Sequence, residues 1–191
     1  MTSSVYWTVR HLEGFPRDDG NRYEIIDGQL HVTTQPSLEH QTVSGNCYDA
    51  LGGWTRRTNA GRVILAPGVI FADDAAVAPD LVWVSRARLA AMVGPDSKLH
   101  DAPDLVIEVL SPGSENERRD REVKLDLYSR RGVREYWIVN WPERAVAVYR
   151  RQNGGLHLAA TLLEGESLES PVLPGFSCPV ASIFADVPVT G

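Results

Sequence analysis

Short apolar runs separated by turn residues predict a chain that alternates between strands and helices. The runs 23–26 and 29–33 flank Asp27-Gly28, a dipeptide suited to the φ > 0 positions of a tight turn, so they predict a β-hairpin. Four further strand-like runs are at 62–66, 69–71, 81–84 and 136–140. Turn residues separate the first three of these runs, as expected between short strands.

Two segments have the spacing of helices with one buried face. Ser37 can cap a helix whose apolar positions recur every three or four residues. These inward positions are His40, Val43, Cys47, Leu51 (or its neighbour Ala50) and Trp54. A second helix is predicted from about 118 to 131, with Gly132 as its left-handed cap.

A second hairpin is predicted near the C-terminus, where runs at 145–151 and 156–163 flank Asn153-Gly154. The proline-containing tail after it predicts irregular structure or short strands. The order of elements is hairpin, helix, several strands, helix, strand and hairpin. This order predicts an α/β (α+β) fold, with a mixed β-sheet core flanked by helices and added β-hairpins.

Length and composition favour a single soluble domain. The chain has 191 residues, of which 43% are hydrophobic, enough for one core. It has neither a signal-peptide pattern nor the run of about 20 apolar residues that a membrane span needs, so we expect a cytoplasmic protein. Cys47 and Cys178 have no zinc-ligand spacing. We expect one domain over 1–191, with its core at about 23–150 and a hairpin and tail at 151–191.

The charge distribution has two opposite implications for nucleic-acid binding. The net charge of −6 argues against a protein that coats nucleic acid, because such binding depends on cations. Segment 118–134, however, has seven basic and three acidic residues, a net charge of +4. It is either a solvated helix of mixed charge or a surface that guides a phosphate backbone.

The strongest chemical signal is a glutamate inside the most apolar stretch, 104–110, which predicts a central strand. A carboxylate there costs several kcal/mol unless it is paired or binds a cation. Asp80 follows Pro79 at the head of another apolar run and is the candidate co-ligand of Glu108. Two carboxylates, a strand carbonyl and waters form the all-oxygen environment that Mg²⁺ prefers. The alternatives are a turn or cap role for Asp80 and, for Glu108, a structural ion pair with an arginine such as Arg134.

Lys124 lies on the apolar face of the second predicted helix, where a merely solubilising lysine is not expected. An inward lysine needs a counter-charge, and this helix follows directly after the strand that carries Glu108. Lys124 is therefore predicted to contact Glu108. Asp120, one turn earlier, is the alternative partner.

The segment PDLVIEVLSPGSENERRDREVKLDLYSRRGVREYWIVN resembles the signature of the Uma family of restriction-endonuclease-like proteins. Similarity extends over roughly 23–150 and includes YEIIDGQL, PSLEHQ and APDLVWV. The resemblance implies the PD-(D/E)xK nuclease fold, with Pro79-Asp80 as one half of the motif and Glu108 as the acidic residue of the other half.

The chain departs from that superfamily pattern at Leu110, which stands where the motif lysine belongs. Strand residues two apart share a face, so Leu110 lies beside Glu108, and a lysine from the next helix can supply the same ammonium group. Lys124 looks like this migrated lysine. Asn140, where similar proteins often have aspartate, is a second departure, which we interpret as structural.

His40 is the last candidate catalytic residue. It faces inward at a helix start, where the dipole favours a neutral ring that can transfer protons. Relatives tend to have histidine at this position, and the alternative is a satisfied core histidine. We interpret Glu24 and Asp104 as structural acids. Three tryptophans are expected in the core and not in base stacking, namely Trp83, Trp137 and Trp141.

The leading functional hypothesis is an endonuclease that hydrolyses phosphodiester bonds of DNA with Mg²⁺, or Mn²⁺ as its substitute. Asp80, Glu108 and the Val109 carbonyl would hold the metal, Lys124 would offset transition-state charge, and His40 would assist proton transfer. A catalytically silent nuclease fold that binds or regulates is the alternative. A glycoside hydrolase is a third hypothesis, but it leaves Lys124 without a role. The open edge of the second hairpin predicts a homodimer.

Overall fold

Strands and helices alternate through the computed structural model, which describes residues 5–16 and 18–188. In chain order the elements are α1 (Val9–Leu12), β1 (Arg22–Ile26), β2 (Gln29–Thr33), α2 (Leu38–Thr58), β3 (Gly61–Leu65), β4 (Val69–Ala72), β5 (Ala75–Val77), β6 (Leu81–Ser85), α3 (Arg86–Met92), β7 (Leu105–Val109), α4 (Ser114–Arg118), a π-helix (Arg119–Lys124), α5 (Leu125–Arg131), β8 (Glu135–Asn140), β9 (Ala145–Gln152), β10 (Gly155–Leu163), β11 (Ser167–Glu169), β12 (Ser177–Pro179) and α6 (Val180–Ile183). The predicted domain limits of 1–191 include residues 1–4, 17 and 189–191, which lie outside the described part.

Three sheets contain these strands. The largest has six strands in the order β10-β9-β8-β7-β6-β3, and a four-stranded sheet has the order β2-β1-β5-β4. Strands β11 and β12 form a two-stranded sheet. In the six-stranded sheet β7 and β8 are parallel, and the other neighbours are antiparallel. The predicted mixed sheet with flanking helices is confirmed.

Local sequence explains the sharp reversals of the chain. Asp27 and Gly28 both have positive φ, at 50° and 73°, and they join β1 to β2 in the predicted hairpin. Asn153 and Gly154 have φ values of 50° and 88° and join β9 to β10 in the same way. Gly132, with φ of 93°, ends α5 in the left-handed conformation.

The two faces of the six-stranded sheet bury separate apolar clusters. Along β7, Leu105, Ile107 and Val109 belong to the cluster that includes the inward side chains of α2. Val106 and Leu110 belong to the opposite cluster, which includes residues of α5. Because strand side chains alternate between faces, Glu108 lies on the α5 side. All five residues of β7 are buried, so the expected central strand is present.

Other elements differ from the sequence-based prediction in extent. The helix predicted at 118–131 begins at Ser114 and contains the π-helical turn Arg119–Lys124. The helix capped by Ser37 continues through Gly52 and Gly53 to Thr58. Its buried residues include the predicted inward positions, His40, Val43, Cys47, Leu51 and Trp54. Six short elements were not predicted individually, namely α1, β5, α3, β11, β12 and α6.

Several other expectations concern side chains of the core. Trp83 and Trp137 are buried in the α2-side cluster, and Trp141 packs against it. Cys47 and Cys178 are both buried and unbonded to each other. Among the described residues, no helix has the length and apolar character required to cross a membrane.

Candidate active site

Asp80 and Glu108 lie opposite each other at one end of the antiparallel pair β6 and β7. The register pairs Leu81 with Ile107, so the residue before β6 faces Glu108. The Asp80 amide donates a long hydrogen bond of 3.4 Å to Glu108 Oε2, and the Val109 amide donates to Asp80 Oδ2 at 2.8 Å. The pairing of the two strands therefore fixes both carboxylates beside each other.

Lys124 reaches this pair from the last position of the π-helix. Its Nζ lies 2.9 Å from Glu108 Oε1 and 3.1 Å from Glu24 Oε1. Asp120, the alternative partner, is at 3.8 Å. The side chain is only 1% exposed, so the predicted contact with Glu108 is present inside the protein. π-helical turns are frequent at functional sites.

Two buried tyrosines connect the helix to the strands. The Tyr128 hydroxyl donates to Glu108 Oε1 at 2.7 Å, and burial together with the Glu108 charge raises the pKa of Tyr128 well above its ordinary value. The Tyr136 hydroxyl donates to the Asp120 carbonyl at 3.0 Å. Tyr128 thus binds a carboxylate on strand β7, and Tyr136 binds the backbone of the π-helix.

His40 and Arg22 both contact Asp80. His40 Nε2 lies 3.1 Å from Asp80 Oδ2, and Arg22 Nη1 lies 3.0 Å from Oδ1. The Ser37 hydroxyl accepts a hydrogen bond from the His40 amide at 3.3 Å and so starts α2 where the imidazole can reach Asp80. Within the described part of the chain, His40 Nδ1 is buried without a hydrogen-bond partner.

The charged side chains of the site and His40 line one cleft of about 360 Å³. Its charged residues are four carboxylates and three cations, together with His40. They are Glu24, Asp80, Glu108, Asp120, Arg22, Arg119 and Lys124. The cleft therefore has one negative charge in excess when every one of these groups is ionised and the imidazole is neutral.

The surroundings shift the pKa values of Glu108 and Asp80 in opposite directions. Burial, with a smaller contribution from the neighbouring carboxylates of Asp80 and Asp120 and against the effect of Lys124, raises the pKa of Glu108 to about 8. Burial also opposes ionisation of Asp80, but the contacts with His40 and Arg22 hold the pKa of Asp80 well below its ordinary range. Glu108 is thus the less readily ionised of these two carboxyls.

Lys124 remains a cation in this environment. Burial lowers the pKa of Lys124, but the charges of Glu108 and Glu24 offset this effect and raise that pKa above its ordinary value. Lys124 in turn contributes to lowering the pKa of Glu24, against the effect of burial. The ammonium group is consequently a fixed positive charge between carboxylates.

The donor set fits a divalent cation that keeps much of its hydration. Among the described residues no group of three His, Cys, Asp or Glu side chains is arranged to hold a metal. Mg²⁺, however, commonly binds one or two carboxylates and completes its octahedron with waters and substrate phosphates. Asp80 and Glu108 supply two carboxyl groups at the cleft, and the raised pKa of Glu108 means that a further positive charge nearby would favour its carboxylate form. Val109 lines the same cleft.

The basic segment 118–134 is largely neutralised by local partners. Arg118 lies 3.7 Å from Glu122, and Arg121 lies 3.8 Å from Glu117. Arg119 differs from these two arginines because it lines the cleft, where it contacts Asp120 at 3.1 Å. Most of the exposed helix therefore has mixed charge, and Arg119 is the member of this segment, besides Lys124, that borders the carboxylates.

The structure brings together the five residues singled out by sequence, Asp80, Glu108, Val109, Lys124 and His40. It also adds Glu24, Arg22, Asp120, Arg119 and Tyr128 to the cleft or its wall. Glu24, interpreted from sequence as a structural acid, is 1% exposed and contacts Lys124. The signal that could have identified it is a charged residue at an inward position of the first hairpin.

Arg134 and Asp104 contact each other outside the cleft. Arg134, considered as a partner of Glu108, instead lies 3.2 Å from Asp104 Oδ1. Asp104 also accepts from Arg88 at 2.8 Å and from the Ser85 amide at 2.8 Å. Asp104 is thus a structural acid that joins β6, α3 and β8, as expected.

Comparisons with known proteins agree with this fold. Residues 9–181 match the model of the Uma2 family, whose description is "Putative restriction endonuclease". No curated protein sequence matches the chain.

Among solved structures, a protein from Anabaena variabilis described as a putative nuclease belonging to DUF820 superposes with a TM-score of 0.72 at 18% identity. The alignment covers 93% of this chain and 97% of that one. The type IIG restriction endonuclease BpuSI is also similar, with a TM-score of 0.43 and 14% identity. That alignment covers 74% of this chain but only 15% of BpuSI.

Proposed function

The chain belongs to the Uma2 family of restriction-endonuclease-like proteins, and on this premise we propose that it is a divalent-metal-dependent endonuclease that hydrolyses phosphodiester bonds of DNA. The observation that supports the proposal most directly is the meeting of Asp80, Glu108 and Lys124 in one cleft. Two carboxylates and an ammonium group from three separate elements fit one chemistry, which is hydrolysis of a phosphate ester.

Asp80, Glu108 and the carbonyl of Val109 would hold the cation, with Mg²⁺ as the proposed ion and Mn²⁺ as a substitute. When bound, the cation would polarise a phosphoryl oxygen and lower the pKa of a water molecule. The protein itself shields both carboxyl groups from most of the solvent, since Asp80 and Glu108 are 7% and 2% exposed. It also holds the carboxylates in place through the Asp80 and Val109 amides.

Lys124 and His40 have different proposed roles. The ammonium of Lys124 is a permanent positive charge beside Glu108 and would offset negative charge that grows on the phosphate oxygens. In the His40 imidazole, Nε2 contacts Asp80, whereas Nδ1 has no hydrogen-bond partner in the described part of the chain. It would accept or release a proton at Nδ1 during hydrolysis.

A catalytically silent binding module is the second candidate function, and one observation favours it. Lys124 is enclosed by Glu24, Glu108 and Asp120, so its ammonium already has counter-charges without metal or substrate. Such an internal ion-pair network can exist for stability alone. Metal binding and cleavage separate the two candidates.

The experiment is metal titration by calorimetry beside nicking of supercoiled plasmid with Mg²⁺ or Mn²⁺. Wild type is compared with Asp80→Asn, Glu108→Gln and the control Glu135→Gln, which alters a buried glutamate outside the cleft. We expect both cleft variants to lose metal affinity and cleavage by about 100-fold or more, because each loses an anionic ligand. The control should retain both. Cleavage that persists fully in the cleft variants would assign the activity to another site or a contaminant.

We also propose a homodimer that pairs the outer edges of strand β10. This nine-residue strand lies at the end of the six-stranded sheet and contains no Lys, Arg, Asp or Glu. Leu158 and Leu163 on it are each 56% exposed. Uncharged edge strands of this length tend to pair with another strand, and a two-fold axis would join two copies antiparallel.

A further inference from the structure

The two carboxylate oxygens of Glu108 have different surroundings. Oε1 accepts hydrogen bonds from Lys124 Nζ at 2.9 Å and from the Tyr128 hydroxyl at 2.7 Å. Oε2 lies on the side of Asp80, whose amide is 3.4 Å away. Two short, well-directed donors thus occupy one oxygen, whereas the other has a single long contact beside the second carboxylate.

Tyr128 is the more rigid of the two donors to Oε1. Its ring is completely buried and meets Tyr136 edge-on, with centroids 5.0 Å apart and an interplanar angle of 70°. Phe71 packs against the Tyr128 ring, with the two ring centroids 6.1 Å apart. Because the ring is confined on these sides, its hydroxyl has a fixed position. Lys124, by contrast, is a flexible side chain whose ammonium also contacts Glu24 and Asp120.

We propose that Tyr128 is a positioning residue that anchors Glu108 Oε1 within the protein and thereby leaves Oε2 directed toward Asp80 as the metal-binding oxygen. The inference rests on the proposed metal-dependent function and adds a residue to it. A glutamate side chain has three rotatable bonds, so an unanchored carboxylate would lose more conformational entropy when it binds a cation. Groups that orient a ligand in this way commonly change metal affinity or activity by 10- to 100-fold when removed.

Tyr128→Phe tests this role because it removes the hydroxyl and keeps the ring. Tyr136→Phe is a matched control. Tyr136 is equally buried and stands next to Tyr128, but its hydroxyl donates to the backbone carbonyl of Asp120 and not to a carboxylate. A general loss of packing or stability would therefore appear in both variants, whereas loss of Glu108 positioning would appear in Tyr128→Phe alone.

The probe is Mn²⁺ alone, titrated without nucleic acid and followed by the electron paramagnetic resonance signal of the free ion. Wild type, Tyr128→Phe, Tyr136→Phe and Glu108→Gln are compared, with thermal unfolding of each. We expect Mn²⁺ binding to weaken about tenfold in Tyr128→Phe and to remain within about twofold of wild type in Tyr136→Phe. In cleavage assays, the Mn²⁺ concentration for half-activation should rise in Tyr128→Phe more than the rate at saturating Mn²⁺ falls.

The outcomes distinguish this inference from the proposed function. If wild type binds Mn²⁺ and Glu108→Gln does not, the site is supported. Unchanged or tighter binding by Tyr128→Phe, or equal weakening by Tyr136→Phe, would then overturn the positioning role alone. If wild type itself fails to bind Mn²⁺, the proposed function is wrong and the positioning role is wrong with it.

Discussion

Lys124 Nζ lies 2.9 Å from Glu108 Oε1 although the two residues belong to different elements, a π-helix and a central strand. Leu110, two positions after Glu108, is buried on the same face of the sheet and lies where the superfamily motif has lysine. The helix that follows β7 returns over this face before β8 begins parallel to β7. An ammonium group from the helix can therefore stand beside the strand carboxylate.

Lys124→Ala should separate metal binding from catalysis. The carboxylates stay in place and one nearby positive charge is removed, so Mn²⁺ should bind at least as tightly as in wild type. Plasmid cleavage should fall by roughly 100-fold or more, the scale of losing one preorganised charge. Calorimetry and the nicking assay measure the two quantities on the same preparation.

Thermal unfolding provides the check on Lys124→Ala. Without metal the variant should unfold at a lower temperature, because Glu24, Glu108 and Asp120 lose their shared cation. Mn²⁺ should raise the unfolding temperature more in the variant than in wild type, since binding stabilises the folded state. Full cleavage activity in the folded variant would contradict the role given to the ammonium group.

His40→Gln should reduce the rate of cleavage more than metal affinity. Glutamine can still donate a hydrogen bond toward Asp80 but cannot transfer a proton at neutral pH. We expect the single-turnover rate to fall by roughly 100-fold, with the calorimetric dissociation constant for Mn²⁺ within about fivefold of wild type. A large loss of Mn²⁺ affinity with an unchanged rate at saturating metal would show that His40 serves the Asp80 carboxylate only.

Asp104→Asn should weaken the fold in a pH-dependent manner without involving the cleft. Burial opposes ionisation of Asp104, but the Ser85 amide and Arg88 lower the pKa of this carboxyl below its ordinary value. The carboxylate therefore stabilises the folded state at pH values above its unfolded pKa of about 4. That contribution is lost as the pH falls through the lower folded-state pKa.

Urea unfolding at several pH values measures the effect of Asp104→Asn. At pH 7 the variant should have a free energy of unfolding about 2 kcal/mol below wild type, the scale of charged hydrogen bonds that are partly exposed to water. The difference should shrink as the pH falls below about 4. A difference that is constant from pH 7 to pH 3 would mean that packing, and not ionisation, accounts for the loss.

The proposed dimer predicts that charge on the β10 edge prevents association. Light scattering at micromolar concentration should give the mass of two chains for wild type and of one chain for the double variant Leu158→Lys, Leu163→Lys. Leu65→Lys is the control, since Leu65 is 51% exposed on β3 at the opposite edge of the same sheet. A monomeric wild type, or a monomeric Leu65→Lys variant beside a dimeric β10 variant, would contradict the proposed interface.

The sequence alone identified the features that depend on near neighbours in the chain. The Asp27-Gly28 and Asn153-Gly154 turns follow from residues that tolerate positive φ. The helix start at Ser37, the left-handed end at Gly132 and the buried strand β7 follow from local hydrogen bonding and hydrophobic period. Glu108 and Lys124 were identifiable because each places a charge on a face that the pattern otherwise buries, and such a charge requires a partner.

Tertiary structure decided which other residues share that buried site. Glu24 lies on a different sheet from Glu108, and Arg22 reaches Asp80 across 58 positions of sequence. Their placement depends on how the four-stranded sheet packs beside the central one, and nothing in the local hydrophobic period specifies that packing. The role of the Tyr128 hydroxyl was hidden for a similar reason, since a tyrosine on a buried helix face has the same pattern whether or not its hydroxyl meets a carboxylate. Local propensity therefore determined the elements and the anomalous charges, whereas long-range packing determined the counter-charges that surround them.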